Sequence, residues 1–167
     1  LVSTSHPLQA EDSASPSQRS VLDSRFQQGL TLHRQGQTDE AKAVYEQILA
    51  IEPRHADALH LLGVIAAQSD APALAEALIV QAIAINPNKA AFYTNLGLAL
   101  KAHHRLDEAI VHFDKAIALQ PDSAEAYSNR GLALYELKRT EEALACFDKA
   151  VALKPDYADA HYNRGHA

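Results

Sequence analysis

The sequence has little cysteine and no long apolar run, and each absence excludes a class of protein. Cys146 is the only cysteine among the 167 residues, so no disulfide can form within the chain. We therefore expect a reducing, cytoplasmic compartment. No apolar run approaches the roughly 18 residues of a membrane-spanning helix, and the N-terminus lacks the apolar core of a secretion signal. These absences predict that a membrane is not a partner.

Positive charge is also scarce. Fifteen Lys and Arg residues against 21 Asp and Glu residues give a net charge of -6. Nucleic acids and anionic membranes attract basic surfaces, so the sequence predicts neither as the main partner. A hydrophobic content of 47% with 22% charged residues is typical of a folded, soluble chain. Because the chain lacks an initiator Met and stops abruptly at Ala167, we expect it to be a fragment.

No group of residues has the spacing of a catalytic or metal site. The glycines stand singly, so there is no phosphate-binding loop. His103 and His104 are neighbours in the chain, and neighbouring side chains on a helix point in different directions rather than at one metal ion. Cys146 is expected to be a packed thiol. The sequence thus predicts no catalytic residue, no metal, no cofactor and no enzymatic activity in this chain.

The first 21 residues differ in composition from the rest. They contain six serines together with Pro7 and Pro16, and they have few large apolar side chains. Such a segment cannot bury enough surface to offset its chain entropy. Residues 1–21 are therefore predicted to be a tail or linker, and residues 22–167 a folded domain.

From Leu22 onward the sequence repeats with a fixed period, which is the distance along the chain from Gly29 to Gly63. Five of the six glycines share this spacing, as do four prolines, four alanines and a column of large apolar residues. The columns are Gly29, Gly63, Gly97, Gly131 and Gly165; Pro53, Pro87, Pro121 and Pro155; Ala41, Ala75, Ala109 and Ala143; and Tyr45, Ile79, Phe113 and Phe147. This divides the domain into units 22–55, 56–89, 90–123 and 124–157, followed by a truncated fifth unit, 158–167.

One unit, 124–157, predicts two helices of about 13 residues each from its apolar spacing. Thr140 is the expected N-cap of the second helix, and Pro155 prevents that helix from continuing. Gly131 is small enough for the two helix backbones to approach closely, and Phe147 would fill the space beside the crossing. A single hairpin of this kind cannot bury its apolar face alone, so neighbouring units must stack to complete the core.

These columns and their period resemble the tetratricopeptide repeat, a helix-turn-helix unit. The resemblance implies an all-α fold, a right-handed superhelix (α-solenoid) in which the first helix of each pair lines a concave groove. It also implies a protein–protein interaction scaffold that binds a peptide or protein segment in that groove.

By this resemblance, three columns of the first helices and part of the rim face the groove. They supply the predicted peptide-binding residues Phe26, Gln27, Leu30, His60, Val64, Thr94, Asn95, Leu98, Lys101, Ser128, Asn129, Leu132, Tyr135, Tyr162 and Asn163. The aliphatic members would hold apolar side chains, and the asparagine amides can pair with any peptide backbone. Two alternatives stay open: the asparagines could bridge adjacent helices, and the aliphatic residues could pack against the next unit.

Some members of the family bind chaperone C-termini with a clamp of Lys, Asn, Asn, Lys and Arg, which this chain does not reproduce. The best registers match one asparagine of the five, and the second lysine position of the clamp holds Glu125 or Asp159. These carboxylates would repel a terminal carboxylate. We therefore expect no binding of an acidic chaperone tail.

A second function is an alternative to the scaffold. The segments HADALHLLGVIAAQ (55–68) and NLGLALKAHHRLDEAIVHFDKAIALQPDSAEAYSNRG (95–131) look like the N-terminal repeats of bacterial relatives of O-linked N-acetylglucosamine transferase. This resemblance implies a substrate-recruiting region of a larger enzyme. Separately, the truncated fifth unit would leave part of an apolar face uncovered, so end-to-end self-association through residues 158–167 is expected.

Overall fold

The computed structural model describes residues 16–167, and this part of the chain is built from nine helices without a strand. The helices are α1 (Pro16–Arg34), α2 (Thr38–Ile51), α3 (Ala56–Gln68), α4 (Pro72–Ile85), α5 (Ala90–Ala102), α6 (Leu106–Leu119), α7 (Ala124–Glu136), α8 (Thr140–Leu153) and α9 (Ala158–His166). One pair of helices thus corresponds to each of the four full units predicted from the repeat. The all-α prediction is confirmed.

The first helix begins earlier than the sequence analysis expects. It starts at Pro16, so residues 16–21 belong to α1 and not to the predicted tail; residues 1–15 lie outside the described part of the chain. Proline is well tolerated in the first turn of a helix, where its missing N–H has no partner to lose. Leu22, which is only 2% exposed, then packs with Tyr45 and Ile48 and ties this helix to the core.

Each helix packs against the one before it and the one after it, and α3, α5, α7 and α9 also contact one another in sequence. The crossing within each pair depends on a small residue. A Cβ atom built on Gly131 would lie 2.6 Å from a ring carbon of Phe147, and one on Gly97 would lie 2.6 Å from Phe113. The predicted close approach of the glycine and the bulky column is confirmed, and this packing fixes how the first helices present their outer faces.

The turns inside the pairs follow the same period as the columns. Asp70, His104 and Lys138 have φ values of 54°, 58° and 64°, and Gly36 has 76°. Each stands two positions before the first residue of the second helix of its pair. This left-handed conformation reverses the chain tightly, but it is unfavourable for residues other than glycine.

The predicted cap at Thr140 is wrong. Arg139 occupies the cap position and makes no side-chain cap, while Thr140 is the first residue of α8. The Arg139 side chain instead pairs with Glu142, at 2.7 Å. Side-chain caps occur at first helices: Ser123 accepts a hydrogen bond from the Ala126 N–H at the start of α7, at 3.2 Å.

The part of the chain that the structure describes contains no helix with both the length and the apolar character to cross a membrane. Among the same residues, no three His, Cys, Asp or Glu side chains lie together as a metal site would require. Cys146 is buried, and its sulfur lies 3.0 Å from a guanidinium nitrogen of Arg130.

Candidate peptide-binding groove

Three members of the predicted aliphatic column of the first helices line cavities between neighbouring first helices. The four members of this column, Leu30, Val64, Leu98 and Leu132, are all half-buried. Val64 and Leu98 line a cavity of about 280 Å³ between α3 and α5 together with Asn95. Three of the predicted site residues therefore meet in one place. The remaining lining is Ala67, Gln68, Ala99 and Ala102.

Asn95 is held in one orientation by a buried histidine. Its amide nitrogen lies 2.7 Å from Nε2 of His60. His60 is only 7% exposed, and its ring packs in a tilted arrangement on Phe92, with 4.5 Å between the ring centroids. Burial lowers the pKa of His60 to about 4; Asp57 opposes this shift and Lys89 adds to it. The imidazole is therefore neutral at pH 7, and in the tautomer with its proton on Nδ1 its Nε2 accepts the hydrogen bond from Asn95. The second N–H and the oxygen of the amide are not used by this bond.

A second, more polar cavity adjoins the first. It has a volume of about 250 Å³ between α5 and α7, and Asn95 lines it as well. Its other walls are Ala91, Thr94, Gln120, Ser123 and Glu125. Glu125 is exposed. Asn95 thus stands between an apolar cavity and a polar one.

A third cavity, of about 180 Å³, lies between α7 and α9 and brings together Leu132, Tyr135, Tyr162 and Asn163 with Phe147 and His166. The Tyr135 hydroxyl donates to the His166 carbonyl at 3.2 Å, which anchors the end of α9 to α7. Tyr162 is 68% exposed and lies 4.7 Å from the His166 ring.

Three predicted groove residues have little surface to offer a ligand. His60, Thr94 and Ser128 share one column and are 7%, 9% and 2% exposed. The Thr94 hydroxyl donates to the Ala90 carbonyl of its own helix at 3.2 Å. His60 and Ser128 therefore offer a ligand almost no surface, and Thr94 contributes only the small part of its surface that lines the polar cavity.

The remaining predicted residues lie on three different first helices, α1, α5 and α7. Phe26 is half-buried against Tyr45 and His55, at 5.9 and 5.2 Å between ring centroids. Gln27 is exposed and Asn129 is half-buried. Lys101 on the rim forms an ion pair of 3.1 Å with Glu136.

Several lining residues were missed by the sequence analysis, although the period of the repeat could have found two of them. Gln68 and Ala102 stand one repeat period apart, in the column that follows the rim residue Lys101. Both line the apolar cavity. Gln120 and Glu125 line the polar cavity from the connection and the first turn of the next unit, and a column analysis confined to the middle of each helix passes over them.

Two family models match most of the described chain. One, described as a tetratricopeptide repeat, matches residues 32–98, and the other, described as a TPR repeat, matches residues 105–138 and 132–167. The chain is a tetratricopeptide repeat protein. The predicted family and its right-handed α-solenoid fold are thereby confirmed.

Solved structures of other tetratricopeptide repeat (TPR) proteins are similar to this one. The pilF protein of Pseudomonas aeruginosa is 26% identical with a TM-score of 0.83, over 89% of this chain and 68% of its own. YrrB, described as a TPR protein with an unusual peptide-binding site, is 25% identical with a TM-score of 0.74, over 88% and 76% of the chains. MamA is 25% identical with a TM-score of 0.74, over 83% and 81%. No curated protein matches the chain.

Proposed function

We propose that this TPR protein is a non-enzymatic scaffold that binds an extended peptide segment in its concave groove. The observation that carries the proposal is the position of Asn95. Its amide, oriented by His60, stands between an apolar cavity and a polar cavity. An extended ligand could place an apolar side chain beside Val64 and Leu98 while its backbone pairs with the free positions of the amide.

The similarity to YrrB supports this proposal, because that protein is described as having a peptide-binding site on the same kind of fold. Scaffolding is also the general use of stacked helical repeats, whose concave surfaces are long enough to contact several residues of a ligand.

A screen of displayed random peptides would test the proposal, followed by titration of the selected peptides against groove variants. Leu98→Glu places a charge in the apolar cavity, and Asn95→Ala removes the amide. We expect each to weaken binding at least tenfold. Ala145→Glu adds a charge to an exposed position of α8 and is the matched control, which should bind as the wild type does.

Selected peptides that bind the two groove variants as tightly as the wild type would contradict the proposal. Such a result would place the ligand elsewhere on the molecule. Far-ultraviolet circular dichroism and urea unfolding of every variant would show whether lost binding reflects lost folding.

Recruitment of substrates to a glycosyltransferase-type domain, the alternative predicted from the sequence, would use the same groove with a substrate protein as the ligand. This alternative therefore remains a prediction. The groove variants cannot distinguish it from a free-standing scaffold, because both functions would lose binding in the same variants. Selected peptides that match known acceptor sequences of such an enzyme would favour it.

We also propose that the molecules associate end to end through the exposed face of α9. Tyr162 on this helix is 68% exposed beside the third cavity of the groove, and large exposed apolar surfaces often mark contacts. Sedimentation equilibrium should show concentration-dependent association that Tyr162→Glu weakens. A wild type that stays monomeric at millimolar concentration would contradict this proposal.

A further inference from the structure

The outward face of α4 differs from that of the other second helices. In α2, α6 and α8, the same three exposed positions are always acidic: two adjacent residues and a third that lies six residues after the second of them. These triplets are Asp39, Glu40 and Glu46; Asp107, Glu108 and Asp114; and Glu141, Glu142 and Asp148. The same positions of α4 hold Ala73, Leu74 and Val80. All three acidic residues are thus replaced by apolar ones in the second unit alone.

The replaced residues form a strip with their exposed neighbours, and the exposed Gln81 borders this strip on the side of Leu74. Ala73, Leu74, Ala77, Val80 and Ala84 are all exposed and recur at helical spacing; we call this strip the α4 patch. Leu74 is 53% exposed and Val80 is 47% exposed, so neither side chain is used in packing α4 onto the rest of the protein. The opposite face of α4 consists of Ala75, Ile79 and Ala82, each fully buried.

A cavity opens at the N-terminal end of the α4 patch. It has a volume of about 300 Å³ and is lined by Ala73 of the patch, Pro72, and the buried side chains of Ala99 and Leu100. An ion pair between Arg105 and Glu76 borders it. The strip of mostly small residues would let a second helix approach closely, and the cavity could receive one large side chain from it.

The surroundings of the α4 patch are acidic. Glu46 on α2 and Asp107 on α6 are exposed members of the acidic triplets of the two flanking second helices. Lys42 lies 3.9 Å from Glu46 and offsets part of its charge, but Asp39 and Glu40 leave α2 acidic. The Arg105–Glu76 ion pair joins α6 to α4 on one side, and Leu78 of α4 packs on the core of the first pair on the other. A second copy of this chain carries the same acidic triplets on its second helices and a net charge of -6. Its second helices would therefore be repelled by the acidic residues around the α4 patch.

We propose that the α4 patch docks an amphipathic helix of a partner protein whose apolar stripe is flanked by lysine and arginine. The apolar stripe would cover Leu74, Ala77 and Val80, and its large side chain would enter the cavity beside Ala73. The basic flanks would face the acidic residues of α2 and α6. The α4 patch itself lies on a second helix, whereas the groove lies on the first helices; Ala99 of α5 lines a cavity of each site.

Two synthetic helical peptides test the proposal, one with leucines on one face and lysines on its flanks, the other with glutamates in place of the lysines. Binding is measured by fluorescence anisotropy. The patch variant is Leu74→Glu/Val80→Asp, which installs the residues that α8 carries at Glu142 and Asp148. The control is Ala145→Glu/Ala152→Glu on the exposed face of α8. Both variants add two negative charges, but only the patch variant also removes the two large apolar side chains of the proposed site.

We expect the leucine–lysine peptide to bind the wild type, to bind the control within about threefold of it, and to lose at least tenfold in affinity for the patch variant. Charge alone cannot explain a loss of affinity in the patch variant. This variant is more acidic than the wild type, so a purely electrostatic interaction with the cationic peptide would become tighter. The leucine–glutamate peptide should bind the wild type at least tenfold more weakly than the lysine peptide does.

Four outcomes would overturn the proposal. They are equal binding to the patch variant, equal binding of the two peptides, loss of binding in Leu98→Glu but not in the patch variant, and no binding at 1 mM peptide. A self-association in sedimentation that the patch variant loses and Tyr162→Glu keeps would assign the α4 patch to a second copy instead. Equal urea midpoints for the two double variants would show that both remain folded.

Discussion

The interior repeats and the last helix place the same columns in different surroundings. His60, Thr94 and Ser128 are at most 9% exposed, whereas Tyr162, the next member of their column, is 68% exposed. A Cβ atom on Gly131 would meet the ring of Phe147. A Cβ atom on Gly165 would have no atom of the described residues within 4 Å, apart from its chain neighbours and its own helix backbone. A position in the repeat therefore determines which way a side chain points, and the helix packed over it determines whether it is buried.

The largest expected effect is a loss of stability at acidic pH, because His60 is an ionisable group in the buried part of its column. Its pKa is lowered by burial from 6.5 to about 4, so the folded protein resists the proton that the unfolded chain accepts. The contribution of His60 to the free energy of unfolding is therefore constant well above pH 6.5 and declines as the pH drops from 6.5 towards 4. The full shift corresponds to about 3 kcal/mol.

The measurement is the urea midpoint of the wild type and of His60→Gln between pH 7.5 and 4. The glutamine can still accept the hydrogen bond from Asn95, but it does not titrate, so the difference between the two curves isolates His60 from the carboxylates. His104→Gln, at an exposed position, controls for the loss of a histidine. Parallel curves for the wild type and His60→Gln would mean that the interior column tolerates charge.

Alanine substitutions in the glycine column sharpen the comparison at smaller scale. Gly131→Ala would place its Cβ 2.6 Å from a ring carbon of Phe147, which is only 1% exposed and cannot move aside easily. We expect a net loss of about 1–2 kcal/mol, because the overpacking exceeds the gain in helix propensity. Gly165→Ala meets no such contact and should gain up to about 1 kcal/mol.

Urea unfolding reports the first of these variants. Amide hydrogen exchange over residues 158–166 reports the second, since a gain confined to the final helix need not move the global transition. If both alanines changed stability by the same amount, the close approach would not be what selects glycine in the interior columns.

The fixed period of the repeat made the helix pairs and the glycine crossings predictable from the sequence, and it placed Val64 and Leu98 in one column, which line the same cavity. Each of these depends on a residue type repeated in every unit. The burial of His60 was not predictable in the same way, since its column holds five different residue types. The α4 patch is a departure from the columns, and it is recognised only when the exposed positions of all four second helices are compared.

The local chemistry of the turns and caps was the least predictable part. Thr140 has the side chain of a cap, yet the helix begins one residue earlier than a cap at this position would allow, because the tight turn at Lys138 sets where α8 starts. The early start of α1 has no buried apolar residue behind it, since residues 17–21 are all exposed. Neither feature has a signal in the apolar columns of the repeat.

The turns extend the comparison of equivalent positions and give the smallest expected effect. Gly36 takes its positive φ without strain, whereas His104 takes φ 58° with a side chain. His104→Gly should stabilise the protein by about 0.5 kcal/mol, because relief of the left-handed strain slightly exceeds the entropy that glycine loses on folding.

Lys138→Gly should gain less, since it also removes a contact between the Lys138 ammonium and the Tyr135 ring, at 5.8 Å. Thermal midpoints in that order, His104→Gly above Lys138→Gly, would show that the turn conformation limits stability; a midpoint below wild type for both would show that the side chains contribute more than the strain they carry.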